Sequence, residues 1–327
     1  MITCEMHAER WEMIEPFEIS REVITHQPVL KVRLQDSVGN VGWAEAAGID
    51  YEGEQPETMA AQIACVLHRL HDGLSHAEIA GMFPAGGARN ALDCALWDLR
   101  AKQSGVPVWK AAGLAPLQPV TTAFTIGLGD ESTTRRKARE ARNYPLLKLK
   151  VDADRHLGVV RMVREEHSSA RIVVDANQSW TLDLLREILP ELARAGVEMV
   201  EQPLPKGSDA ELDGLQSPLP LAADESCTDR SSLAQLANRY QFVNIKLDKC
   251  GGLSEALALA DEANRRGLGL MVGNMCGTSL AMAPAFLVAQ RCSYVDLDGP
   301  LLQRLDRVCP MHYFNGVIQP PLAALWG

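Results

Sequence analysis

Leu147-Lys148-Leu149-Lys150 places two lysines one residue apart inside an apolar run, 146–151, that reads as a buried strand. Side chains alternate along a strand, so both ammonium groups point to one face. Two like charges confined together disfavour each other's protonation, which predicts lowered lysine pKa values and a base usable near neutral pH. The run is one of eight. From Pro119 onward, short apolar runs at 120–128, 146–151, 172–176, 197–201, 219–224, 242–247, 268–273 and 294–297 alternate with segments of helical spacing such as 181–194 and 254–266. Eight strands joined by helices predict an α/β fold, a parallel (β/α)8-type barrel over 116–304. A doubly wound nucleotide-binding sheet is the rival, but Gly127-x-Gly129 lacks the third glycine of its fingerprint.

The first part of the chain is built differently. Ile2, Cys4, Met6 and Ala8 fall on one strand face, and Leu30, Val32 and Leu34 on another, with 36–40 reading as a hairpin turn into Gly42-Trp43-Ala44-Glu45. Helices are expected at about 57–70 and 88–102, the second with an apolar stripe of Ala91, Ala95, Leu96 and Leu99 ending near Gly105. Residues 1–115 therefore read as an α+β module capping the barrel, and 305–327 as a return that packs on it.

At 327 residues the chain can bury a large core, and 46% hydrophobic with 23% charged residues is ordinary for a globular protein. A net charge of −10 with no basic stripe argues against nucleic acid or an anionic membrane and leaves a small molecule as the expected partner. Acidic residues stand where a signal peptide needs basic ones, and no apolar run approaches membrane-spanning length. The eight cysteines form no Cys-x-x-Cys pair, which fits reduced thiols and a cytoplasmic enzyme.

In such barrels chemistry sits at the carboxyl ends of the strands. Asp175, Glu201 and Asp224 each stand at such an end, at intervals of 26 and 23 residues, one βα unit apiece, so the three carboxylates should converge. Singly, each is as readily a helix cap. As three at the repeat period, starting one unit after the paired lysines, they suit a hard cation such as Mg²⁺. Lys246 follows 22 residues after Asp224, inside the apolar run 242–247, with no easy route to solvent except toward a site.

Lys148-x-Lys150, Asp175-x-Asn177, Glu201-Gln-Pro203, Asp224-Glu-Ser226, Lys246-x-Asp-Lys249 with Gly251-Gly252, and Asp296-x-Asp298, together with Asn90-Ala-Leu-Asp-Cys-Ala-Leu-Trp-Asp98, resemble the enolase superfamily in its muconate lactonising branch. The match runs through most of the chain and is most similar to the dipeptide epimerases, L-Ala-D/L-Glu epimerases above all. The resemblance implies that Asp175, Glu201 and Asp224 bind one Mg²⁺ per subunit, which stabilises the charge left when a substrate α-proton departs. Lys150 and Lys246 then exchange that proton on opposite faces, and Lys148 tunes Lys150. Asn177 supports the ligands from behind. Asp296 and Asp298 would hold the free ammonium of a dipeptide, and Arg21, on a loop over the barrel mouth, would meet a side-chain carboxylate, although the arginine that sets specificity in the family falls slightly later in this loop, where Ile24 and Thr25 stand. Barrels of this kind often associate as homo-oligomers.

Rival chemistries are weighed by what is missing. A histidine-dependent, mandelate racemase-like pairing needs a histidine after the seventh strand, and none occurs between His167 and His312. Elimination of the o-succinylbenzoate synthase type, or cycloisomerisation, keeps the two lysines but has no ammonium for Asp296 and Asp298; the alternatives to the glutamyl epimerase are a dipeptide epimerase of other side-chain specificity and an o-succinylbenzoate synthase/N-acylamino acid racemase-type enzyme. Cys276 is a candidate pocket residue without a histidine partner. A non-catalytic metal-binding barrel has no use for two opposed buried lysines.

Overall fold

The computed structural model describes residues 2–327. Three antiparallel strands, β1 (Thr3–Ile19), β2 (Glu22–Gln35) and β3 (Val41–Ala46), form a meander whose β2–β3 turn is tied by Asp36, which accepts from the amides of Val38 and Asn40 at 3.0 and 2.9 Å. The helix Gly87–Ser104 covers this sheet, burying Ala91, Ala95, Leu96 and Leu99 as their spacing predicts and ending on Gly105 in the left-handed conformation. Gly42 is required here, since a Cβ would lie 2.2 Å from the Ala95 carbonyl.

Two details differ from the sequence reading. The helix expected at 57–70 stops at Ala64, and a further helix, His76–Met82, is started by a Ser75–Glu78 capping box. On β1, Ala8 is exposed, because the long strand changes its buried face along its length. Toward the hairpin end Met13, Phe17 and Ile19 turn inward and pack with Ile24, Cys276 and Leu302.

After β4 (Val120–Thr121) come the eight expected strands: β5 (Phe124–Ile126), β6 (Leu146–Lys150), β7 (Arg171–Asp175), β8 (Val197–Glu201), β9 (Leu221–Ala223), β10 (Phe242–Ile245), β11 (Gly269–Val272) and β12 (Tyr294–Val295). They pair in sequential order, all parallel, and the Ala123 amide donates to the Val295 carbonyl at 2.7 Å, bringing the last strand to the first. The two-residue period sorts the barrel. Leu147, Leu149, Ile172, Val174, Val243 and Ile245 face outward into the main core under the helices, whereas Leu146, Val173, Met199, Ala222, Met271 and Tyr294 plug the barrel floor. Two residues further along the same inward faces stand Lys148, Asp175, Glu201, Asp224 and Asp296, so the alternation that fills the floor also puts charge at the mouth.

Helix Leu182–Arg194 shows how the outer layer is held. The Thr181 hydroxyl accepts from the Leu184 amide at 3.2 Å, and Leu185, Ile188, Leu189 and Leu192 face the sheet, each worth about 1.5–3 kcal/mol of burial. Beyond the barrel, β13 (Tyr313–Phe314) pairs with β14 (Val317–Ile318) and β14 with β4, and the chain end returns to the capping module, where the Trp326 indole donates to the Cys94 carbonyl at 3.1 Å. No disulfide links the cysteines. Among the described residues no helix is long and apolar enough to cross a membrane.

Candidate active site

Asp175 and Glu201 end β7 and β8, and Asp224 follows β9 by one residue, so the pleat aims all three carboxylates into the barrel mouth. Each offers an oxygen within 4.8 Å of the others, and all three are buried. Burial alone would raise all three pKa values. Lys148 and Lys150 outweigh it at Asp175, and Lys246 and Lys249 at Asp224, holding both below the usual carboxylate range. Glu201 is pushed up to about 8 by burial and by Asp175 beside it. Its Oε2 finds no well-angled hydrogen bond, only the Lys148 ammonium at 2.9 Å. An all-oxygen cluster of this closeness, with a buried oxygen left short of partners, fits a hard divalent cation.

Lys150 ends β6 and Lys246 immediately follows β10, the second and sixth of eight strands, so they reach the mouth from opposite walls. Lys150 Nζ lies 2.7 Å from Asp175 Oδ2, and Lys246 Nζ lies 2.7 Å from Asp224 Oδ2. Burial lowers the Lys246 pKa, but Asp224 outweighs it and the net direction is upward.

Lys148 corrects the sequence reading. Its ammonium is fully buried between Asp175, Glu201 and Asp296, at 3.0, 2.9 and 2.9 Å, and these carboxylates overcome burial and raise its pKa well above the ordinary lysine value. The expected mutual depression fails for Lys148 because three carboxylates from three other strands surround it. It acts as their shared counter-ion, and its charge is felt at Lys246, where it lowers the pKa.

Asn244, Lys249 and Gln202, without an assigned role in the sequence reading, complete the cluster together with Asn177, which had one. Asn244, one turn of the pleat before Lys246, donates Nδ2 to Glu201 Oε1 at 2.7 Å. Lys249 is buried with its ammonium 2.5 Å from Asp224 Oδ1 and 3.1 Å from the Asn244 carbonyl. Gln202 accepts from the amides of Asp224 and Ser226 at 2.9 and 3.1 Å, which fixes the turn carrying Asp224. Asn177 supports Asp175 through its backbone: at φ 42° its amide donates to Asp175 Oδ1 at 2.9 Å, a left-handed conformation that asparagine tolerates well.

A cavity of about 250 Å³ opens between the capping module and the barrel, and Lys150 and Lys246 both line it. Phe17, Ile19 and Ile24 of the β1–β2 hairpin form one wall, and Asn274, Met275 and Cys276 another. Cys276 adopts φ 56°, and burial and Asp298 push its thiol up to about 12, which leaves it a wall rather than a nucleophile. Arg21 also lines the cavity, but its Nη1 lies 3.2 Å from Glu225 Oε1 and its guanidinium 4.7 Å above the Tyr51 ring.

Asp296 and Asp298 follow β12 and lie behind the Asn274–Cys276 wall, not among the residues lining the cavity; Asn274 Nδ2 donates to the Asp296 carbonyl at 2.7 Å. Asp296 is engaged by Lys148 and, at 3.3 Å, by the Thr125 hydroxyl. Asp298 accepts from the Thr125 amide at 2.6 Å, and burial with the neighbouring Asp296 pushes it up to about 7. The two carboxylates thus differ: Lys148 pairs with Asp296, whereas among the described residues no ion pair reaches Asp298.

A parallel barrel of this kind, capped by an α+β module and carrying three convergent carboxylates between two opposed lysines, defines an enolase-like class. The chain belongs to the mandelate racemase / muconate lactonizing enzyme family: residues 1–113 match the model of that family's N-terminal domain and residues 133–323 the enolase C-terminal domain-like model. It is 41% identical over 318 residues to the L-Ala-D/L-Glu epimerase of Escherichia coli K12, covering 97% of this chain and 99% of the relative. It is 39% identical over 288 residues to the N-acetyl-D-glutamate racemase of a Pseudoalteromonas species, covering 88% and 91%. Among solved structures it is similar over 100% of both chains, at 40% identity and a TM-score of 0.97, to an enolase family member of Agrobacterium tumefaciens with homology to dipeptide epimerases, described with sodium and L-Ala-L-Glu bound.

Proposed function

We propose that this protein is a Mg²⁺-dependent dipeptide epimerase that inverts the α-carbon of the C-terminal residue by proton transfer between Lys150 and Lys246, with L-Ala-D/L-Glu of murein turnover as its leading substrate. The observation that carries the reading is the placement of two lysines on opposite barrel walls, both lining one cavity and each within 2.7 Å of a carboxylate of the same cluster. Asp175, Glu201 and Asp224 hold the ion, one per subunit, which when bound supplies positive charge beside the substrate carboxylate and so acidifies the α-proton. One lysine, neutral at the start, takes that proton from one face; the other, protonated, returns one to the opposite face, and the stereocentre inverts. Lys148 keeps the carboxylates charge-balanced, and Asn177 fixes Asp175. Residues 1–115 with 305–327 serve as the cap and 116–304 as the catalytic barrel. Eight unpaired cysteines support a cytoplasmic setting.

Incubation with L-Ala-L-Glu in D₂O is expected to exchange the glutamyl α-proton while the L-Ala-D-Glu epimer appears, both followed by proton NMR. Absence of exchange with every member of a dipeptide library overturns the assignment.

The similarity to an N-acetylglutamate racemase makes the ammonium site the point to test. Asp298, beside Asp296 and behind the Asn274–Cys276 wall, receives the dipeptide's N-terminus when that wall shifts aside. Asp298→Asn is expected to raise KM for L-Ala-L-Glu about 10- to 100-fold, the worth of a charge-assisted hydrogen bond, and to leave N-acetyl-glutamate no worse a substrate. Steady-state kinetics on both compounds decide it, and an unchanged dipeptide KM moves the ammonium site elsewhere.

A further inference from the structure

Glu225, next to Asp224 in sequence, has no part in the proton transfer described above, yet it is only 1% exposed. Its Oε1 accepts from Arg21 Nη1 at 3.2 Å and from Asn177 Nδ2 at 3.5 Å, and its Oε2 has no partner. Among the described residues the only cation within 4.0 Å of it is Arg21, which belongs to the tip of the β1–β2 hairpin, 204 residues away in the chain. We propose that Glu225 is a positioning residue: it draws Arg21, and with it the hairpin tip, onto the barrel, so that Phe17, Ile19 and Ile24 roof the cavity shared by Lys150 and Lys246.

A buried carboxylate is costly unless a cation meets it, so Glu225 supplies the attraction and Arg21 the answering charge. The cap holds the guanidinium ready for this, over the Tyr51 ring at 4.7 Å and 4.0 Å from Asp50. One further hydrogen bond joins the tip to the barrel, the Ser20 hydroxyl donating to the Asn177 carbonyl at 3.2 Å, and the apolar packing of Phe17, Ile19 and Ile24 beside Cys276 lies at the base of the tip. The hairpin stem is secured separately: the Leu128 amide donates to the Glu18 carbonyl at 2.8 Å, and Arg155 lies 2.9 Å from the Glu18 carboxylate. Breaking the Arg21–Glu225 pair therefore loosens the tip and leaves the stem and barrel in place. On this geometry Arg21 acts on substrate through the roof it closes, whatever the substrate side chain.

The inference rests on the assignment of this cavity as the substrate site, and its test separates the two. Hydrogen exchange of the free enzyme needs no substrate. In Glu225→Gln and in Arg21→Met, peptides spanning 17–24 are expected to exchange about ten-fold faster than in the parent, with the barrel peptides unchanged. In kinetics, KM rises about ten-fold, more than kcat falls, and equally for L-Ala-L-Glu and L-Ala-L-Leu, while the double variant is no worse than either single one. Should Glu225→Gln fail to fold, Arg21→Met alters a partly exposed side chain and carries the same test. Unchanged exchange over 17–24, additive effects in the double variant, or a loss in Arg21→Met confined to the glutamyl dipeptide each overturns the proposal.

Discussion

Lys150→Met and Lys246→Met are each expected to abolish epimerisation, lowering it at least about 10³-fold, within the range that a positioned acid or base contributes. Each variant should nevertheless retain one half of the reaction. The lysines stand on the second and sixth strands of eight, so each can reach only one face of a carbon held between them. With one lysine gone, the other still removes the proton from the epimer that faces it and returns deuterium to the same face, giving exchange with retention. In D₂O, one variant is expected to label L-Ala-L-Glu alone and the other L-Ala-D-Glu alone. Methionine preserves the unbranched stem, which matters because both lysines are buried against neighbours that would otherwise collapse into a cavity. Proton NMR of the two epimers with each variant checks this. A variant that labels both epimers, or that still interconverts them, refutes the opposed two-base arrangement.

That pair was legible in the sequence because its signals are local. Lys148 and Lys150 share a strand face by the two-residue period, Lys246 interrupts an apolar run, and the carboxylates recur at the length of one βα unit. The eight strands were legible for the same reason, although β9 is three residues and β12 only two, shorter than their apolar runs, since strand ends are set by neighbours. What stayed hidden depends on contacts between distant segments. The surroundings of Lys148 come from β7, β8 and the end of β12, and from its own strand it looked like a pKa-lowering neighbour, not a counter-ion. Arg21 could be placed over the mouth, but nothing local indicates that it meets Glu225. Lys249 and Asn244 carried a weak signal, polar side chains beside or within the run that holds Lys246, and could have been read as part of the cluster.

Glu201→Gln is expected to remove the cation site while sparing the fold. Glu201 is the middle carboxylate of the three, wholly buried, with Oε1 held by Asn244 and Oε2 facing Lys148 alone. Glutamine keeps the shape: with its oxygen toward Lys148, its Nε2 donates to Asn244 Oδ1, otherwise unpartnered, once the Asn244 amide turns over, and Lys148 retains Asp175 and Asp296 as partners, so no buried charge is stranded. The loss is one of the three negative charges that make the cluster suitable for Mg²⁺. In the parent protein, Mg²⁺ at 100 times its Kd should stabilise the fold by about 2.7 kcal/mol, read as a rise in Tm, and a chelator should reverse that rise. In Glu201→Gln the Mg²⁺-dependent rise should vanish at the same concentration, and epimerisation should fall at least about 10²-fold. Because Tm is read without substrate, the two losses are measured separately. A Glu201→Gln protein that melts normally and shows the parent's Mg²⁺-dependent rise would place the ion on other residues. A rise that vanishes together with activity ties the acidification of the α-proton to these three strand ends.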